Sequence, residues 1–300
     1  MQSASNILFL HPLSYRPMQV HEKRRDIINY VASLKKKQKT IGFVPTMGAL
    51  HKGHLALVER AIQENNIVIV SIFVNPTQFN NSEDLVNYPR TLTSDVKLLS
   101  SLSSNNIVVF APKPEEVYTE QVSSISYDFH GLEHEMEGKF RPGHFDGVGT
   151  VLKHLFTIVS PTKAYFGEKD FQQLQIVKKL VEIENMKIQI IGCPIYREES
   201  GLALSSRNKR LNELQLKTAP IIYKTLKQVQ KDFGTKSVTK LDEWVSKQFE
   251  NNEVLTLEYF EIAKVSDLKS IKQKQKETKY RAFIAVFAGK IRLIDNIALN

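Results

Sequence analysis

Short apolar runs alternating with amphipathic stretches organise the first two thirds of the chain. Ile41 to Val44, Ile67 to Val74, Ile107 to Phe110, Ala164 to Phe166 and Ile188 to Ile191 read as buried strands. Between them the apolar period changes to that of helices, at about 52–66, 93–104, 145–160 and 170–185, the last opened by Asp170 as an N-cap. Strands alternating with helices predict an α/β fold, a Rossmann-like parallel sheet with helices on both faces, whose ligands gather at the carboxyl ends of the strands. After about residue 195 the pattern changes. Helices near 220–232 and 237–251 precede strand-like stretches Thr256 to Ala263, Arg281 to Phe287 and Ile291 to Ile294, which predict a smaller α+β C-terminal domain. Pro220 interrupts what is otherwise one helix from Asn212, so a short turn and a new helix start are expected there. The expected organisation is therefore a disordered extension over 1–17, with Met18 the alternative start, a nucleotide-binding domain over 18–195 and a smaller domain over 196–300 closing on the site. The Lys- and Gln-rich run from Lys269 to Lys279 reads as an exposed connection. It carries no interleaved aromatic residues on which bases of a nucleic acid would stack.

Composition narrows the function classes only a little. A net charge of +9 favours anionic partners such as nucleotides, acidic metabolites or RNA. One cysteine, Cys193, excludes an intrachain disulfide framework and points to a reducing compartment; it reads as a small buried hydrophobe. No stretch approaches the roughly 20 apolar residues that cross a bilayer, and Ile7 to Leu10 is too short for a secretion signal. The expectation is a cytoplasmic protein.

The chemistry concentrates in Pro45-Thr46-Met47-Gly48-Ala49-Leu50-His51-Lys52-Gly53-His54, which lies between a strand and a helix. Two imidazoles three residues apart on the first helical turn stand beside backbone N–H groups without intrahelical acceptors. The helix dipole and neutral imidazole donors suit a polyphosphate there, and Gly48 and Gly53 leave room for a ligand to approach the backbone. A zinc site is discounted, because the ligand spacing it needs is missing. Gly167-Glu168-Lys169-Asp170 follows a strand on the same sheet edge, and its lysine can neutralise a phosphate. Leu204-Ser205-Ser206-Arg207-Asn208 offers hydroxyls, amides and a guanidinium able to follow charge onto a leaving diphosphate. The carboxamides of Asn75, Gln78 and Gln173 fit a hydroxylated acid better than a phosphate, and the Arg141–His144 loop suits a gate or a carboxylate contact. His130 and His134 read as surface residues.

These segments, with Phe73 to Phe79, Tyr88-Pro89-Arg90-Thr91, Glu137-Gly138 and Arg141 to Phe145, resemble the pantothenate synthetase family of pantoate–β-alanine ligases, from about Met18 to the end. The wider superfamily of nucleotidylyltransferases and class I aminoacyl-tRNA synthetases shares the His-x-Gly-His element and a downstream Ser/Lys/Arg-type loop alone. The resemblance implies two steps: ATP and pantoate give pantoyl adenylate and diphosphate, then β-alanine displaces AMP. It implies that Met47 to His54, Gly167 to Asp170 and Leu204 to Arg207 bind ATP, with Lys169, Ser205, Ser206 and Arg207 on the phosphates and His54 as proton donor. It places Gln78 and Gln173 on pantoate, with Gln78 also bordering β-alanine. Magnesium is implied to bridge the phosphates, with Asp95 the candidate protein contact, although Ser94 stands where some relatives have a second acid. Tyr196 replaces a smaller residue near adenine, so only a backbone contact carries over. A homodimer through the first domain is implied as well. The competing readings are a nucleotidylyltransferase that stops at AMP transfer, and a basic RNA-binding protein without turnover.

Overall fold

The computed structural model describes residues 17–78, 85–86 and 88–300 of the chain. Strands β1 (Gln19–His21), β2 (Ile41–Thr46), β3 (Ile67–Ile72), β4 (Ile107–Phe110), β5 (Lys163–Gly167) and β6 (Gln189–Cys193) form one sheet in the order β1-β4-β3-β2-β5-β6. Every pairing in it is parallel. Around it lie α1 (Arg24–Lys36), α2 (Lys52–Glu64), α3 (Leu92–Ser100), α4 (Pro114–Val117), α5 (Glu137–Phe140), α6 (His144–Val159) and α7 (Phe171–Ile183). The expected Rossmann-like sheet is what the chain adopts. A parallel sheet must be covered on both faces, and two apolar clusters do this. One is built on Phe43, Ile69, Phe110, Phe156 and Leu174, the other on Val44, Val58, Val70, Leu99 and Val109.

Two elements precede the first expected strand. Ile27, Val31 and Leu34 recur at helical spacing and are the buried stripe of α1. The three residues of β1 add an edge strand beside β4. The expected extension over 1–17 lies, but for its last residue, outside the described residues.

After β6 the chain forms α8 (Glu213–Thr218), α9 (Ile221–Asp232) and α10 (Val238–Glu250), then an antiparallel sheet β7-β8-β9 (Leu255–Lys264, Tyr280–Ala288, Ile291–Ala298) with its own core. Pro220 stands at the N-cap position of α9, so a new helix starts there as expected. Strand β9 runs four residues beyond the expected Ile294 and carries a buried polar pair, Asp295 and Asn296.

In the parallel sheet, β3 and β4 continue to one side of β2, while β5 and β6 continue to the other. The strand order therefore reverses between β2 and β5, and the crevice outside the carboxyl ends of those two strands is where such sheets place ligands. Both leading motifs of the sequence, after Thr46 and after Phe166, emerge there.

Candidate active site

A cavity of about 1060 Å³ opens at this crevice, and segments from many parts of the chain line it, residues within 88–98 and 148–155 among them. Strand β2 delivers Pro45, Thr46, Met47, Ala49, Leu50, His51, Gly53 and His54; β5 delivers Gly167, Lys169 and Asp170. Asn75 and Gln78 come from beyond β3, Gln173 from α7, and Tyr196, Leu204, Ser205, Ser206 and Arg207 from the segment after β6. Lys209 and Arg210, not singled out in the sequence, line it as well. Gly48 supports the turn from below, with φ of +83° that only glycine adopts without strain. Some expected residues are not brought in as lining. Lys52 is exposed, and Glu168 turns to Arg281, 3.0 Å away, while Arg141 and His144 line a smaller adjoining cavity with Gln173.

The histidine corner is built from its own backbone. His51 is the N-cap of α2; its Nδ1 accepts from the Gly53 N–H at 3.1 Å, and His54 Nδ1 accepts from the His51 N–H at 3.3 Å. An imidazole that accepts at Nδ1 carries its proton, when neutral, on Nε2. Both rings are therefore fixed as Nε2–H donors, with their centroids 4.0 Å apart. Burial, reinforced by the charges of Lys169 and Lys209, lowers the pKa of His51 to about 4; burial, then His51 and Lys169, lowers that of His54 to about 3. In this state both rings are neutral at neutral pH and each offers an Nε2–H hydrogen bond. Gly53 also makes room for the His51 ring, since a Cβ there would stand 3.0 Å from it.

The Asp95 carboxylate accepts from the N–H groups of Ala49 at 3.0 Å and Leu50 at 2.8 Å, and from the Thr91 hydroxyl at 3.1 Å. Through these bonds the residue clamps the backbone of the 47–50 loop. Among the described residues no group of three His, Cys, Asp or Glu side chains is placed to hold a metal.

The carboxamides form a chain. Asn75 Nδ2 donates to Gln78 Oε1 at 3.2 Å and to the Gly147 carbonyl at 3.2 Å, while its Oδ1 accepts from the Tyr118 hydroxyl at 2.5 Å. Gln78 Nε2 then lies 2.8 Å from the Met47 sulfur. Tyr118, which no motif of the sequence marks, thus sets the orientation of Asn75. His144 Nδ1 donates to the Gln78 carbonyl at 3.0 Å, so its Nε2 accepts from Arg141 at 3.2 Å. Burial, then the charge of Arg141, lowers the His144 pKa to about 4.

At the far wall Ser205 caps the 206–210 turn, its Oγ accepting from the Arg207 N–H at 3.3 Å. Asn208, buried beneath, donates to the Ala203 carbonyl at 3.1 Å and holds the bend closed. The two distant segments, imidazole pair and serine bend, face one cavity. His130 and His134 are exposed and Cys193 is buried, as expected. Asp170 stands at the N-cap position of α7 but makes no side-chain cap.

The profile of the family described as Pantoate-beta-alanine ligase matches residues 19–298. A pantothenate synthetase from Flavobacterium psychrophilum is 55% identical over 94% of this chain and 100% of its own length. Another, from Christiangramia forsetii, is 54% identical over the same shares. Among solved structures, a pantothenate synthetase from Thermus thermophilus superposes with a TM-score of 0.84 at 37% identity, covering 94% of this chain and 99% of that one. The Francisella tularensis ligase, described as complexed with Beta-gamma ATP and Beta-alanine, gives a TM-score of 0.77 at 38% identity, over 94% of this chain and 98% of that one.

Proposed function

The chain belongs to the pantoate–β-alanine ligase family, and from that premise we propose that its cavity joins pantoate to β-alanine through a pantoyl-adenylate intermediate. A pantoate carboxylate oxygen attacks the α-phosphorus of ATP, the bond from that phosphorus to the bridging oxygen breaks, and diphosphate leaves. The β-alanine amine then attacks the acyl carbon, AMP departs with the attacking oxygen, and the amine loses a proton. The observation that carries this reading is the single cavity shared by His51, His54, Lys169, Ser205, Ser206 and Arg207.

Bringing a carboxylate against a triphosphate opposes two anions, so the site must offer positive charge and exclude water from the mixed anhydride. Lys169 and Arg207 supply the charge, with Lys209 and Arg210 beside them. The Nε2–H groups of His51 and His54 donate to phosphate oxygens, and Ser205 and Ser206 follow the departing diphosphate. Gln78 and Gln173 take the hydroxyl and carboxylate of pantoate. Arg141 and His144, at the adjoining cavity, are assigned to the approach of the second substrate. Magnesium belongs to this reading as the counter-ion of ATP, carried in on the phosphates, with Asp95 of the cavity wall as the protein group nearest to a contact with it. A homodimer through the parallel-sheet domain and a cytoplasmic location complete it. No helix among the described residues is long and apolar enough to cross a membrane.

The test is AMP release by the purified protein with ATP, magnesium, pantoate and β-alanine. AMP is expected only when both acids are present and ATP is cleaved to diphosphate. Turnover without β-alanine would favour simple nucleotidyl transfer, and salt-sensitive RNA affinity without turnover would favour the RNA-binding reading.

A further inference from the structure

Strand β9 passes between the two loops that hold the phosphate-directed side chains. Successive residues of a strand point to opposite faces, and Asp295 and Asn296 are successive, each almost fully buried. The Asn296 carboxamide nitrogen donates to the carbonyls of Glu168 and Lys169, both at 2.9 Å. Its oxygen accepts from Arg281, which also pairs with Glu168 at 3.0 Å and lies over the Phe171 ring. Asp295 receives Arg197 in a two-point ion pair at 2.6 and 2.9 Å. Arg197 in turn donates to the Gly201 carbonyl at 3.1 Å and pairs its backbone with Ala203, two residues before Ser205. Lys169, Ser205, Arg207 and Asp295 meet around one narrow crevice.

We propose that Asn296 and Asp295 are positioning residues for adenylation, which fix the lysine loop and the serine bend relative to each other from one strand of the C-terminal sheet. The inference rests on the reading of Lys169 and Ser206 as groups that meet the phosphates. The charges in the network pair off, Arg197 with Asp295 and Arg281 with Glu168, so it adds no net charge to the site. What it supplies is register. A displacement of about 1 Å between groups that act on the same transition state costs on the order of 100-fold in rate, and two loops from different parts of the chain need a common reference to avoid it. Each of the two residues has its own target: Asn296 acts on the backbone of Lys169, Asp295 on the turn that carries Ser205 and Ser206.

The test is a set of double-mutant cycles on the full chain, read by pantoate-dependent exchange of labelled diphosphate into ATP. Asn296→Asp turns the donor toward two carbonyl oxygens into an acceptor, and is expected to slow exchange about 10- to 100-fold. In a Lys169→Ala background the same change should cost less than about 2-fold, while in Ser206→Ala it should keep its full effect. Asp295→Asn should show the reverse pattern, losing its effect in Ser206→Ala and keeping it in Lys169→Ala. Equal losses in both backgrounds, or no loss at all, would overturn the proposal. Asn296→Ala, which only removes the donors, gives a second reading, and failure of both Asn296 variants to fold would assign the residue to stability and overturn the positioning role. Lys169→Ala alone reports on the underlying reading. Full exchange there would remove Lys169 from the phosphates and this proposal with it, whereas slow exchange with additive Asn296 losses would overturn the proposal alone.

Discussion

Two neutral histidines in a basic cavity carry a consequence for stability. Burial lowers His51 to about 4 and His54 to about 3, while in the unfolded chain both titrate near 6.5. Between those limits the unfolded state binds protons that the folded state refuses, so folding stability falls as pH drops from about 6.5 toward 4 and is unaffected above that window. Replacing both imidazoles by asparagine should flatten the fall. Thermal melts of wild type and the double variant between pH 7 and 4 should therefore converge, and parallel curves would show that the rings are not held neutral. The same rings are legible in the sequence, because spacing, helix start and glycines are all local. Their tautomer is not, since it depends on which backbone N–H each Nδ1 accepts. Neither is the role of Asp95, whose partners lie 45 and 46 positions away along the chain.

Among the elements, the loop from Met47 to Leu50 depends on a helix that follows it only after another strand. Asp95 in α3 reaches back to two of its amides, and Thr91 one turn earlier fixes the carboxylate. Removing the charge with Asp95→Asn should weaken bonds to a buried acceptor and cost about 1–3 kcal/mol of stability, together with a raised KM for ATP. The magnesium requirement at saturating ATP separates the two roles of Asp95: unchanged, the residue acts on the loop alone; shifted, it also meets the metal. Most strands and helices are readable from apolar runs, with ends displaced by a few residues. Strand β9 reads short because Asp295 and Asn296 look like a strand end, and a polar pair is tolerated inside a strand only when both members are hydrogen-bonded. Helix α1 escapes the pattern because Ile27, Val31 and Leu34 are spread among charged residues and form no run.

For the whole molecule, contacts beside the cavity join the territories of the two sheets. Arg292 of β9 takes the Glu137 carboxylate at 2.7 and 2.8 Å and also pairs with Glu258, and the Tyr259 hydroxyl donates to Glu137 at 2.8 Å. Arg281 and Asn296 make the matching contacts to the lysine loop. The contacts to Glu137, Glu168 and Lys169 have no local signature in the sequence, because each joins residues more than 100 positions apart. The proposed reaction asks that a carboxylate, a triphosphate and an amine be brought together beside these contacts with little water, the condition for an acyl adenylate to survive until it is captured. The central claim is that the pantoate carboxylate attacks the α-phosphorus. Pantoate labelled with ¹⁸O in both carboxylate oxygens, turned over with ATP and β-alanine, tests it by mass spectrometry of the products. One labelled oxygen should appear in AMP and the other in the new amide; label in orthophosphate or diphosphate, with none in AMP, would contradict it.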